Sequence, residues 1–248
     1  MKAGLKRTGQ ALARLYPMGV SMLWKAPLVL ALVIVLEFIQ HIVEIRIGMF
    51  GSREAFRELQ FDSTRMAVGF VKVAGLLLVM IASARFWATR ERGLAWYVVA
   101  DIDWRRFAPG FFLFGLVPAA PALFEAQIGE NTAQALGTAI SLLLLPALFL
   151  MLAGLFGDRE TTSRDIWRRS WPWAILMALL LIFAFAPAQW LHGKNHDWAL
   201  GADPATVWAL MIFDSLLVGL LAGLTGTALY LGYAAFARGE EGQTAVAT

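Results

Sequence analysis

The chain has 248 residues, of which 59% are hydrophobic and only 16% charged, and its mean hydropathy is +0.63. A soluble domain of this length would carry more charge, so the composition indicates a membrane protein in contact with the lipid bilayer. The absence of cysteine excludes disulfides, thiolate metal ligands and a cysteine nucleophile. The net charge of +3 does not indicate nucleic-acid binding, because the basic residues flank apolar runs, where lipid phosphates account for them.

Six apolar runs are each long enough to cross a bilayer as a helix. We therefore predict an all-α polytopic membrane protein with six transmembrane helices near 26–47, 66–86, 109–127, 135–156, 172–191 and 205–236. Residues 1–25 form a basic N-terminal segment, residues 26–238 the transmembrane domain, and residues 239–248 a small polar tail that we predict to be disordered. The first run is long and polar in its middle, so it is interpreted as a retained span rather than a cleaved signal.

Lysine and arginine are distributed unequally between the two sides. With both termini inside, the inner side holds 15 of these residues and the outer side 5, which favours cytoplasmic termini. The excess of arginine over lysine suggests a GC-rich bacterial genome, and hence a multi-pass protein of a bacterial inner membrane. Four arginines in the first outer loop depart from this pattern, and we expect Glu54, Glu58 and Asp62 to pair with them at helical spacing.

The first span carries a polar stripe made of Glu37, Gln40, His41 and Glu44. At about 100° per residue, these four side chains fall within an arc of roughly 100° on one helix face. Each ionisable group costs roughly 2.5–3.5 kcal/mol near the bilayer centre, so the stripe must face the bundle interior or a water-filled cavity.

Two other spans can supply partners at a similar depth, namely Lys72 of the second span and Asp214 of the sixth. The predicted cluster of Glu37, Gln40, His41, Glu44, Lys72 and Asp214 lies in the outer half of the bundle. It is either a charge-paired structural cluster, a proton or ion relay or polar-substrate site, or a divalent metal site. In the third case iron, manganese or zinc would be held by the set Glu37, His41, Glu44 and Asp214.

Two features weigh against the metal hypothesis at this stage. Only one histidine belongs to the cluster, and Lys72 competes for its carboxylates. The other histidines, His192 and His196, precede Asp197 in a segment that Gly193 and Asn195 predict to be a loop after the fifth span. We interpret them as ordinary polar loop residues.

A short motif, W-R-R-x-x-P, precedes the third span at 104–109 and the fifth at 167–172, and a fainter copy precedes the first at 24–27. Its tryptophan suits the headgroup level, its cations suit lipid phosphates, and its proline suits the first turn of a helix. The motif indicates either three parallel helical hairpins descended from one unit or convergence on a good helix start.

Glycines and prolines mark the later spans. Gly219, Gly223 and Gly226 form a small-residue face, which serves either packing within the bundle or contact with a second copy or a partner membrane protein. The prolines at 118, 121, 146 and 187 predict kinked or broken helices.

The segments Ser163–Trp173 (SRDIWRRSWPW) and Leu229–Arg238 (LYLGYAAFAR) carry a resemblance. They are similar to a bacterial family of six-helix inner-membrane proteins that includes the membrane domain of glycerophosphodiester phosphodiesterases and uncharacterised relatives. Both patches together cover under a tenth of the chain. The resemblance implies a membrane-domain fold and no functional residue, and the chain contains no catalytic phosphodiesterase domain.

No hydrolase or nucleotide-binding motif occurs in the sequence. We therefore expect a non-enzymatic transporter or a transport- or envelope-associated component. The alternatives are a metal-dependent intramembrane enzyme and a membrane scaffold or assembly partner.

Overall fold

The structure is a computed structural model that describes residues 2–244, with side chains for residues 8–237. Every regular element in the described range is helical, which confirms the all-α prediction. The helices are α1 (Lys2–Lys25), α2 (Pro27–Arg46), α3 (Arg53–Leu59), α4 (Ser63–Glu91), α5 (Trp104–Phe111), α6 (Glu125–Ile128), α7 (Glu130–Leu143), α8 (Leu145–Phe156), α9 (Ser163–Arg169), α10 (Trp171–Ala199) and α11 (Pro204–Thr244).

The described residues contain five helical segments that are long and apolar enough to span a membrane. They are Pro27–Arg46, Ser63–Glu91, Trp104–Ile128, Trp171–Ala199 and Pro204–Ala237. Helices α7 and α8 make a sixth candidate as a broken span, bent by 55°. Large apolar side chains such as Leu28 and Leu123 are more than three-quarters exposed, as expected of a surface covered by lipid. The protein is therefore a multi-pass integral membrane protein.

Prolines account for the two irregular spans. The third span begins at Trp104 because the side chain of Asp103 accepts a hydrogen bond from the backbone N–H of Arg105 and caps α5. After α5 the chain forms a π-helix at Phe112–Leu116 and a 3₁₀ helix at Val117–Phe124. Pro118 and Pro121 lie in the 3₁₀ segment and donate no backbone hydrogen bond. The fourth predicted span is broken just before Pro146, in the first turn of α8.

Three segments differ from the sequence-based expectation. The basic N-terminal segment is a 24-residue helix, α1, which buries Leu15 and Met22. Helix α10 passes through Pro187 and ends at Ala199, beyond the predicted end at 191. The backbone of residues 239–244, in the segment predicted to be disordered, continues α11, because extending a formed helix is far easier than starting one. Residues 245–248 lie outside the described range.

The chain divides into two compact units. The first, which we call the site unit, comprises Leu12–Trp87 and Leu180–Ala228, and the second comprises Met1–Ala11, Ala88–Leu179 and Leu229–Thr248. In the site unit, α2 buries one helical face, made of Val29, Leu30, Val33, Glu37, Gln40, His41 and Glu44. The polar stripe is thus the inward side of α2.

The glycine face of α11 is occupied within the site unit. A Cβ atom at Gly219 would overlap the side chain of Ile34 on α2, and one at Gly226 would overlap α4 at Ser83. A Cβ at Gly223 would press on Leu30. These glycines are buried by neighbouring helices of the same chain, which favours packing within the bundle over a homodimer contact on this face.

In the second unit, the first copy of the repeated motif departs from its predicted roles. Pro109 lies inside α5, because the Asp103 cap starts that helix five residues earlier. The guanidinium of Arg106 donates to the backbone carbonyls of Asp158 (2.9 Å) and Thr161 (2.7 Å). Arg106 therefore stabilises a loop of the protein rather than meeting a lipid phosphate. The prolines of the other two copies, Pro172 and Pro27, do lie in the first turn of a helix.

Helices α5 and α8 of the second unit approach each other at backbone level. A Cβ at Gly154 would overlap the backbone of Phe107, and one at Gly110 would overlap the backbone of Met151. We expect Gly154→Ala to reduce the free energy of unfolding by roughly 1–3 kcal/mol, the usual effect of overpacking, because neither backbone can move aside as a flexible side chain would. Equilibrium unfolding in mixed micelles measures this change.

The matched control is Gly9→Ala on α1, where no atom lies within 4 Å of an added Cβ. Alanine is the better helix former, so this variant should be unchanged or up to about 1 kcal/mol more stable. Equal effects of the two substitutions would contradict the close approach of α5 and α8.

Candidate functional site

The site lies near one end of the site unit, where α2 and α10 end and α4 and α11 begin. The N–H of Gly201 donates to the carbonyl of Phe50 at 2.8 Å, which joins the two connections. Phe50, Ala199, Val207 and Met211 form an apolar cluster at this end. Asp214 lies one helical turn beyond Met211 and is completely buried. The chain connections therefore cover a buried polar centre.

The carboxylate of Asp214 is a hub for three helices. Its Oδ2 lies 3.1 Å from Nε2 of His41 on α2 and 2.6 Å from Nδ1 of His192 on α10. Its Oδ1 accepts a hydrogen bond of 2.8 Å from the Asn195 amide. Oδ2 also lies 3.7 Å from Nε2 of His196. One carboxylate thus gathers residues that are far apart in the sequence.

Glu44 orients His41 from the other side. Its Oε2 lies 2.9 Å from Nδ1 of His41, while its Oε1 accepts hydrogen bonds of 2.9 Å from both Gln40 and Arg65. Glu44 is completely buried, whereas Arg65 is partly exposed. With Nδ1 held by Glu44, the Nε2 atom of His41 faces Asp214 and Glu37, which is the arrangement in which a carboxylate fixes the ring of a ligating histidine.

Glu37 is the third buried carboxylate of the site. Its Oε1 lies 3.4 Å from Nε2 of His41 and 3.3 Å from Nζ of Lys72. Its Oε2 is buried and has no hydrogen-bond partner among the described residues. The structural interpretation drawn from the sequence expected Lys72 to neutralise a carboxylate of the cluster, and that carboxylate is Glu37.

The ring of His196 makes no hydrogen bond to another described residue. Both of its ring nitrogens are buried without a hydrogen-bond partner in the described part of the chain. Its ring centroid lies 4.8 Å from that of His192 and 5.4 Å from that of His41. All three histidines of the protein are therefore gathered in one place.

Three overlapping groups of side chains have the spacing that a metal ion requires. They are the sets His41–Glu44–His196, His192–His196–Asp214 and Glu37–His41–Asp214, and in each set one ligand atom per residue lies within 4.8 Å of the others. A tetrahedral ion with bonds of about 2.0–2.1 Å separates its ligand atoms by about 3.3–3.4 Å. The distances of 3.1, 3.4 and 3.7 Å that join His41, Glu37, Asp214 and His196 bracket this value.

The structure brings together all six residues of the predicted cluster. The interpretation of His192 and His196 as loop residues was wrong, because Gly193 and Asn195 continue α10 instead of ending it. The signal available in the sequence was the i, i+4 spacing of the two histidines, which places them on one helix face. Arg65 was also missed, because it was expected to pair with carboxylates of its own loop, and it pairs with Glu44.

A cavity of about 180 Å³ adjoins His196 in the site unit. Its lining residues are Arg53, Phe56, Arg57, Gln60, His196, Asp197 and Leu200. It lies between the short helix α3 and the last turn of α10, and the ring of His196 forms part of its wall. Glu125, which the sequence placed near the end of the third span, lines a different cavity of about 430 Å³ in the second unit.

No family model, curated protein or solved structure matches this chain. The chemistry of the site is therefore argued from its geometry.

Proposed function

We propose that this integral membrane protein binds a divalent transition metal at the centre formed by Glu37, His41, His196 and Asp214. His192 adjoins this set through Asp214, and Glu44 supports His41. With cytoplasmic termini in a bacterial inner membrane, as the distribution of lysine and arginine favours, the centre lies in the outer half of the bundle.

One observation supports the proposal above the others. All three histidines of the protein meet three buried carboxylates, while both nitrogens of His196 and Oε2 of Glu37 have no hydrogen-bond partner in the described residues. Buried polar atoms without a partner are costly, of order 1–3 kcal/mol each. A metal ion among them could bind one ring nitrogen of His196 and a carboxylate oxygen of Glu37.

The donor set also favours a metal over a purely structural cluster. The sequence alone offered one histidine to the site, and the fold offers three. The contact of Lys72 is to Glu37, whereas Asp214 lies 3.1 Å from His41 and 3.7 Å from His196. Imidazole with carboxylate suits zinc, iron(II) or manganese(II).

The support of the ligands resembles that of known metal sites. A ligating histidine usually gives its second ring nitrogen to a carboxylate, and Glu44 lies 2.9 Å from Nδ1 of His41. Gln40 and Arg65 in turn fix Glu44. The cavity beside His196 leaves room for a further ligand, as catalytic metal sites do and closed structural sites do not.

Elemental mass spectrometry of the full-length protein in detergent tests the proposal. After incubation with zinc, iron(II) or manganese(II) and gel filtration, we expect about one ion per chain in the wild type and a large loss in His196→Ala. Phe56→Ala is the control, since Phe56 is a neighbouring ring, 6.3 Å from that of His196, with no metal-binding atom. Bound metal should also raise the midpoint of thermal unfolding in the wild type and in Phe56→Ala, but not in His196→Ala.

Two results would contradict the proposal. One is a wild type that retains none of the three metals and shows no thermal shift. The other is a His196→Ala variant that elutes as a folded protein and keeps the full metal content.

A second candidate function is a proton relay coupled to transport. It is favoured by the chain of contacts from His192 through Asp214 and His41 to Glu44, each 3.1 Å or shorter. Histidines and carboxylates in such a row carry protons in many membrane proteins. Proton flux into liposomes that contain the metal-free protein, lost in His41→Gln, would support this candidate over metal binding.

A further inference from the structure

The cavity beside His196 has an unbalanced charge at its entrance. Arg53 and Arg57 lie one turn apart on α3, so their side chains share a face of that helix. Both are exposed, and no ion pair of 4 Å or less involves either guanidinium among the described residues, although both attract the carboxylate of Glu54 and Arg53 also attracts that of Asp197. Asp197, which also lines the cavity, is already paired with Lys194 at 2.9 Å. The cavity is therefore lined by two exposed cations that no close ion pair neutralises.

The inner end of the same cavity reaches the metal-binding residues. His196 lines it, and this ring lies 3.7 Å from Asp214 through Nε2. An anion in the cavity would thus contact the arginines on one side and the metal centre on the other. Ligands that bridge a metal ion and an arginine side chain are characteristically oxyanions, because two N–H groups of the planar guanidinium can donate to two of their oxygens.

The volume restricts the ligand further. About 180 Å³ corresponds to about six water molecules in the liquid, which is enough room for a phosphate group. A doubly charged phosphate also balances two arginines better than a carboxylate would. The cavity adjoins Leu200, directly after the end of the candidate span Trp171–Ala199, and lipid phosphates lie near the ends of membrane spans.

We propose that this cavity binds a phosphate group, held by Arg53 and Arg57 at its entrance and by the metal centre at its inner end. The metal contact rests on the proposed function, whereas the arginine contacts do not. The phosphate comes either from a phosphomonoester lipid headgroup or from free phosphate, and the same cavity chemistry serves both.

Isothermal titration calorimetry of the metal-loaded, full-length protein with inorganic phosphate tests the proposal. We expect binding in the wild type and an affinity about tenfold or more lower in Arg53→Gln/Arg57→Gln, with an unchanged metal content. The matched control is Arg105→Gln/Arg168→Gln, which removes two exposed arginines elsewhere and should bind phosphate as the wild type does. Competition with short-chain phosphatidic acid identifies the source, because a lipid site binds it more tightly than inorganic phosphate.

The outcomes separate this proposal from the previous one. A protein that holds metal but binds neither inorganic phosphate nor phosphatidic acid overturns the phosphate site and leaves the metal centre standing. Equal phosphate affinity in the arginine variant and the wild type also overturns it. If the wild type retains no metal after loading and still binds phosphate in a way that depends on Arg53 and Arg57, the phosphate site is supported and the metal centre is overturned.

Discussion

Asp214→Ala is expected to lower the free energy of unfolding of the metal-free protein by roughly 3–5 kcal/mol, the range found when a buried charged contact loses one partner. The substitution removes the acceptor shared by His41, His192 and Asn195, which lies between α2, α10 and α11. Two of these partners, His41 and Asn195, are completely buried, so water cannot replace the lost contact without opening the bundle. Equilibrium unfolding in mixed micelles with a chelator measures the change.

Glu130→Ala provides the control for Asp214→Ala. Glu130 is an exposed carboxylate at the start of α7, so its removal should change stability by less than about 0.5 kcal/mol. Asp214→Asn keeps two polar atoms in place and should fall between the two alanine variants. If Asp214→Ala is as stable as Glu130→Ala, the hub described for Asp214 does not exist in the membrane protein.

The second large effect is expected at the pair of Lys72 and Glu37. Lys72→Met should destabilise the protein by about 3–5 kcal/mol, because it leaves Glu37, which is only 1% exposed, without its cation. The double variant Lys72→Met/Glu37→Gln removes both charges and should recover most of this loss. Such recovery corresponds to a coupling energy of at least about 2 kcal/mol in a double-mutant cycle, in the upper part of the range found for residues in contact.

The stability of the same variants can also be measured in the presence of saturating metal. A divalent ion beside Glu37 supplies the positive charge that Lys72→Met removes, so saturating metal should restore much of the stability of the single variant. It should restore less in the double variant, which lacks the carboxylate. Additive effects of the two substitutions, with no influence of metal, would show that Lys72 and Glu37 do not interact in the folded protein.

The membrane character and the inward polar stripe of α2 were accessible from the sequence. Hydrophobic length and composition identify spans because lipid leaves the backbone few alternatives to the helix. The burial of Glu37 and His41 follows from the free-energy cost of placing ionisable groups in lipid. This cost is larger than the free-energy differences between residues in helix propensity. The first prediction depends on the need for backbone hydrogen bonds in lipid, and the second on the cost of an ionisable group in lipid.

The remaining ligands could not be recognised in the same way. Gly193 and Asn195 are poor helix formers, by up to about 1 kcal/mol each relative to alanine, and they argued for a loop at His192 and His196. Contacts of α10 with α11 override this preference, since Asn195 donates to Asp214. The broken fourth span has a similar explanation, because Pro146 interrupts hydrogen bonding inside an apolar run whose composition is that of a continuous helix.

The distance in sequence between His41 and Asp214 has a consequence for the synthesis of the protein. The two residues are 173 positions apart, although their side chains lie 3.1 Å apart in the folded site unit. At roughly 5–20 residues per second, α2 leaves the ribosome about 10–35 s before α11. Arg65 and Lys72 of α4 are the first described partners to follow, so Glu44 and Glu37 acquire their counterions early, while His41 lacks Asp214 until α11 is made. The site is therefore completed only after α11 has been synthesised, and a chain truncated before Asp214 would enter the membrane with its polar stripe only partly neutralised.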